Sequence, residues 1–284
     1  TYHVTGDLIL DGAVKQNALI KYGPGTITLA GSVDNPSLRA EVYEGVLALA
    51  KESQRALDGS PIVVSNAGVI RILGPSTDQI HFNQRVNVEL GGTLDVQSTE
   101  EIGTLASVGA VGGIVLNNSG VPVNLNIGGG RDHRGIFGGS IQDGTGVLNL
   151  QLDRDGHVLV LNGTNTYTGT TLVRNNRTDG AAFGTRLIVN GLHTGGGPYT
   201  VSSTTQKAYL GGSGVISAAV VDVNAGGALS PGGMLSENSD AGVGAESTAI
   251  LTINNNVNLN DSSSILHVQL NGTVPGEGYD QVVV

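Results

Sequence analysis

The chain has no Cys, no Trp and one Met, and its only aromatics are seven Tyr and three Phe. Each scarcity excludes something. Without Cys there is no disulfide framework, no thiolate zinc centre and no thiol nucleophile. With 8 Pro and no three-residue glycine period, the 45 Gly do not belong to a collagen-like helix. No apolar run approaches the roughly 18–20 residues that cross a bilayer as a helix. Charged residues make up 13%, against roughly 25% in an average soluble domain. The 14 basic and 24 acidic residues leave a net charge of −10, which disfavours a nucleic-acid partner. Apolar residues still reach 39%, too many for a disordered chain.

What is present is Val, Leu, Thr, Asn and Gly in long stretches, with helix formers scarce. That composition points to an all-β chain with many tight turns. The absence of Cys is compatible with export as an unfolded chain. The sequence opens on Thr1 without a signal segment and closes on Tyr279–Val284, which reads as part of a strand. On that basis it is expected to be a mature fragment or processed product.

A repeated frame organises the chain: Val, a Gly-rich corner, then Leu or Ile six positions after the Val. It occurs as Val64 to Ile70 (VSNAGVI), Val88 to Leu94 (VELGGTL) and Val223 to Leu229 (VNAGGAL). A copy one residue shorter runs from Val42 to Leu47. Val64 and Val88 lie 24 positions apart, a suitable length for one turn of a solenoid. A second resemblance links Gly25–Gly31 with Gly156–Gly163. Between corners the pattern alternates: Val121, Val123, Leu125 and Ile127; Val86, Val88 and Leu90; Leu251 and Ile253; Val257 and Leu259; Val268 and Leu270. Period two places these side chains on one face of short strands. Gly and Asn supply the positive-φ corners.

A sandwich or barrel normally buries bulky aromatics and joins antiparallel strands by two-residue hairpins. A parallel solenoid fills a narrow interior with Val, Leu and Ile. Few aromatics and a period near 24 favour the solenoid. Residues 1–284 are expected to form a single segment of about twelve turns, a rod on the order of 55–60 Å at ~4.8 Å per turn.

Particular segments also resemble a known family. Gly163 to Thr171 (GTNTYTGTT), preceded by Leu159–Leu161, is similar to the most recognisable motif of the autotransporter-associated β-strand repeat of bacterial surface proteins. Glu101–Leu105 resembles the family's "ETIGSL" element, and Gly138–Ile141 with Phe137 its "FSGxI" element. Leu210–Gly214, Val223–Gly227, Leu229–Gly232, Gln269–Leu270, Asn271–Thr273 and Gly278–Gln281 follow in the family's order. The similarity runs from about Gly6 to Val284. It implies a right-handed parallel β-helix, displayed on the cell surface or secreted, acting as stalk or adhesive scaffold rather than enzyme. Two departures stand out. Residues 175–186 are inserted between Val173 and Leu187 and read as a surface loop leaving the helix, a candidate contact site. No C-terminal membrane barrel is present in this sequence.

Candidate sites are few. Arg131–Arg134 and Asp153–Asp155, with His157 just after, are the densest ionic clusters, separated by about one turn. They could stack into a patch resembling a polysaccharide-lyase site, with acidic residues on Ca²⁺ and an Arg as base. The alternative is a solvated corner of mutually neutralising charges at about 0–1 kcal/mol per pair. Asp153 does not open an EF-hand, because position twelve is Thr164. A weak two-carboxylate Ca²⁺ site is the one cofactor reading left; no catalytic, cofactor-binding or metal residue is assigned. The six His (3, 81, 133, 157, 193, 267) lack ligand spacing, and His267 is expected on the outer face of a strand. Gly128–Gly130 and Gly195–Gly197 lack the Lys-Ser/Thr of a phosphate loop. Tyr2, Tyr43, Tyr167 and Tyr199 are too dispersed in sequence to form a stacking platform, and Tyr167 is expected to be a packing residue.

Three functions follow as expectations. The first is a structural solenoid: stalk, adhesin or extracellular fibre element, with end-to-end stacking of copies compatible with its exposed strand edges. The second is a polysaccharide-active β-helix. The third is a module binding glycans or a host surface through the 175–186 loop.

Overall fold

Val42, Val64 and Val88, the first residues of three copies of the sequence frame, lie side by side in register on adjacent parallel strands. So do the residues that close each frame, Leu47, Ile70 and Leu94. The frame is therefore strand, glycine corner, strand, and one copy stacks on the next. In the computed structural model all residues are described except 54, 129–133, 155, 176–183, 206 and 233–247. The described residues form twenty-nine strands and no helix. Parallel pairing demands a connection that returns each strand to the same end, and the winding of the coil itself provides it.

The chain divides into two compact units, Thr1–Asn149 and Leu150–Val284. The first contains the whole of an eleven-stranded sheet. Its central interior ladder runs Leu8, Ile27, Leu47, Ile70, Leu94, Val115, Ile141. From Ile27 onward each of these side chains is fully buried. Burying one such aliphatic contributes about 1.5–3 kcal/mol. The second unit winds three faces per turn. One ladder is Leu152, Val173, Val201, Val223 and Leu259. A second is Leu159, Leu187, Leu210, Leu229 and Leu266. On the third face Asn165, His193, Ile216 and Ile253 succeed one another.

The glycines of the frame are required by the close approach of neighbouring turns. A Cβ on Gly92 would sit 2.3 Å from the Val64 carbonyl oxygen, and one on Gly227 the same distance from that of Val201. Only Gly fits there. The shortened frame also leaves its mark. Strand Ile62–Ile72 carries one more residue than strand Arg39–Leu49 between matching positions, and the register slips between Val42 and Glu44. Asn66 takes up the extra residue in a left-handed conformation, φ 56°.

Three expectations need correction. The parallel sheets stack as a β-solenoid of about nine turns rather than about twelve. Turn length is uneven: some turns take 21 residues, others 28, and the step onto the last turn takes 36. The insertion placed at 175–186 is narrower. Asn175 ends strand Thr171–Asn175 and pairs with Ser203, while Thr185 and Arg186 open strand Thr185–Val189 and pair with Ala208 and Tyr209. Most of what lies between, 176–183, is outside the described residues. Several alternating positions are exposed. Leu90 and Val121 sit in corners just beyond their strands, at 67% and 58% exposure. Leu259, Val268 and Leu270 belong to the last turn, over which no described strand pairs.

Candidate functional site

Buried polar side chains are the first place to look for chemistry, since desolvated groups need partners. In the unit Thr1–Asn149 several of them, placed in corners or in strands, bind backbone of a neighbouring turn. Asn35 accepts the Val14 N–H through Oδ1 (2.8 Å) and donates through Nδ2 to the Ala56 carbonyl (3.0 Å). Gln79 brackets the peptide groups of Lys51, accepting its N–H (2.9 Å) and donating to its carbonyl (2.7 Å). Glu100 accepts the N–H groups of Ile80 (2.8 Å) and Gln79 (3.2 Å). Burial pushes the Glu100 carboxyl well above its ordinary range, and the two backbone donors oppose that shift less strongly. Two lysines are buried as well. Lys21 Nζ donates to the carbonyls of Gly23 and Glu44, both at 2.8 Å, and Lys51 Nζ to that of Gly12 at 2.6 Å. Burial lowers both ammonium groups, opposed by Glu44 in one case and by Asp11 and Asp34 in the other.

In the unit Leu150–Val284 the interior corner is aromatic. Tyr167 stacks on His193 with centroids 4.3 Å apart and planes 20° from parallel, and the Tyr199 ring lies 5.4 Å from the imidazole, tilted by 55°. His193 Nε2 donates to the Tyr167 carbonyl at 2.9 Å, so in the neutral ring Nδ1 accepts from the Tyr199 hydroxyl at 2.5 Å. The Tyr167 hydroxyl bonds Thr171 Oγ1 at 2.7 Å. Burial raises both phenols, Tyr199 the more strongly. Tyr167 is thus the packing residue the motif suggested, and the histidine lacking ligand spacing is part of its stack.

The charged clusters singled out in sequence do not come together as described groups. Arg131–His133 and Asp155 lie outside the described residues. Arg134 opens strand Arg134–Phe137, half-buried, and burial lowers its pKa. Asp153 pairs at 2.8 Å with Arg174, its ladder neighbour one turn on. The same inter-turn pairing recurs between Arg71 and Asp95 (2.9 Å) and between Arg55 and Asp78 (2.7 Å). No three metal-ligating side chains gather among the described residues. His267 lies just past strand Ile265–Leu266 and faces Ser230 at 3.5 Å rather than standing on a strand face.

The register brings Tyr43 together with Tyr22, a tyrosine outside the dispersed set of Tyr2, Tyr43, Tyr167 and Tyr199. Tyr22 and Tyr43 follow the paired residues Lys21 and Val42, which places them on adjacent turns. Their rings stack at 5.0 Å, 10° from parallel. Both project outward, since Lys21 and Val42 between them point inward and are fully buried. The Tyr43 hydroxyl donates to Glu41 Oε2 at 2.9 Å, and Arg39 pairs with the other carboxylate oxygen. This strip combines rings, a carboxylate and a guanidinium on one outer face. The two tyrosines lie 21 residues apart, one of several turn lengths in the coil.

No protein-family model, curated protein or solved structure matches the chain.

Proposed function

We propose that the chain is a non-enzymatic, structural β-solenoid of a bacterial surface or secreted protein, serving as stalk, adhesin or extracellular matrix element. The observation that carries the reading is the use made of its buried polar groups. Asn35, Gln79 and Glu100 have the chemistry of active-site residues, yet each is fully buried and bound to backbone one turn away. Groups held so serve the coil, and a carboxylate that performs acid–base work must reach a substrate. The ordered motif series from Gly6 to Val284 supports the autotransporter-passenger version of this reading. Self-association end to end is compatible with the last turn. Leu259 and Leu266 are 50% and 48% exposed, whereas their ladder partners Val223 and Leu229 are buried. A second copy paired along that edge would cover them.

The test is made on the natural protein in its own cells. An antibody to this chain should label intact cells or the secreted fraction, and protease added outside should remove the signal. A signal confined to the cytoplasm sinks the reading. Release of unsaturated sugars from uronate polymers with Ca²⁺ would replace it with the lyase alternative.

A further inference from the structure

We propose that the outward face built around Tyr22 and Tyr43 is a binding strip for a neutral glycan chain. The interior does not require these rings: on the same strands Leu19, Lys21, Ala40 and Val42 fill the inside. Three other tyrosines are buried, Tyr167 and Tyr199 completely and Tyr209 nearly so, whereas Tyr22 is 39% exposed and Tyr43 is half-buried. The 5.0 Å separation of the two rings equals the strand spacing of about 4.8 Å. The two rings therefore stack along the coil, one per turn.

The register slip then matters. Because strand Ile62–Ile72 carries an extra residue beside Tyr43, no residue on it pairs directly with Tyr43. The residues there are Ser65 and left-handed Asn66, neither of which continues the aromatic column. No further aromatic ring among the described residues stacks on Tyr43, and its half-buried ring is the one proposed to take the ligand. Beside it the Glu41 carboxylate, held by Tyr43 and Arg39, is fixed in place and neutralised by its partner.

An apolar ring face bordered by preorganised donors and acceptors fits a pyranose, whose C–H face packs on the ring while its hydroxyls meet the polar border. A protein partner needs roughly 800 Å² on each side, far more than two rings and a salt bridge provide. A net charge of −10 repels polyanions, which points to a neutral chain. The proposal deepens the adhesive part of the scaffold reading and rests on it.

The experiment titrates the full chain with neutral tetrasaccharides of β-1,4-glucose, β-1,3-glucose and β-1,4-N-acetylglucosamine, with polygalacturonate as the anionic arm, followed by calorimetry. Saturable binding of at least one neutral probe is expected. Tyr43→Ser should weaken it about tenfold or more at an unchanged melting temperature. Tyr43→Phe, which keeps the ring stack and serves if the first variant folds poorly, should weaken it about threefold. No binding of any probe, binding of polygalacturonate alone, or a Tyr22→Ser/Tyr43→Ser variant that binds as the wild type overturns the proposal. A cytoplasmic location of the natural protein would instead fail the scaffold reading while leaving these curves interpretable.

Discussion

The two units solve one problem with different side chains. Each stacks parallel turns by the same backbone ladder, and each must fill and satisfy the corners where strands change direction. The unit Thr1–Asn149 uses extended polar side chains, Asn35, Gln79, Glu100, Lys21 and Lys51, each bonded to backbone groups. The unit Leu150–Val284 also holds one such clamp, Asp280 on the N–H groups of Ala249 and Gln269, but fills one interior corner with the rings of Tyr167, His193 and Tyr199. A turn of 21 residues brings corner backbones within reach of one amide, as at Asn35. The 28 residues from Asn165 to His193 include 176–183, which lie outside the described residues. A polar clamp fixes the backbone of a particular neighbouring turn, whereas a ring stack mainly fills space.

That contrast predicts unequal costs. Gln79→Leu strips both peptide groups of Lys51 of their buried partner and should cost about 3 kcal/mol, read as a lower urea midpoint. Tyr199→Phe keeps the ring and removes only the hydroxyl facing His193 Nδ1, and should cost about 1–2 kcal/mol in the same measurement. If the tyrosine proves the costlier of the two, the comparison is wrong and the aromatic corner is the more tightly specified.

Taken per pH unit, the smallest effect is that of pH. Glu100 binds its proton more tightly folded than unfolded, because burial raises its pKa from an ordinary 4.5. Its contribution is fully present below the unfolded value and is lost as pH rises through the folded one. Relative to Glu100→Gln, the wild type should therefore lose stability as pH climbs from 4.5 towards neutrality, by at most about 1.4 kcal/mol per pH unit. A stability difference that stays flat over that range would mean the carboxyl is not desolvated, and would weaken the account of the polar corner.

Much of the coil was legible because it is written in short patterns. The frames at Val42, Val64 and Val88 announced the turns, and their copies stack in register. The missing residue in the first of them even foreshadowed the register slip beside Tyr43. Alternation located interior positions such as Leu125, Ile127, Leu251 and Ile253, all buried. It failed at Leu90 and Val121, because the same alternation continues past a strand into its corner. Gln79 and Lys51 lie 28 residues apart, and no local pattern joins a glutamine to a peptide group at that distance. Buried Lys21 ran against the expectation that a lysine faces solvent, and only the carbonyls of Gly23 and Glu44 account for its place.

What the sequence determined by itself is the secondary structure and its stacking mode: short β-strands, glycine at corners where a neighbouring carbonyl leaves no room for a Cβ, and an aliphatic interior that only a parallel coil could use. These follow from local sterics and period-two burial, which need no knowledge of distant partners. What only the tertiary structure decided is which residues become neighbours across turns. Turn lengths vary, so the partner of Tyr22, Gln79 or His193 cannot be found by counting a fixed period. The lateral ladder, closing one hydrogen bond after another, sets that register, and with it the tyrosine strip on the outside and the polar and aromatic corners within.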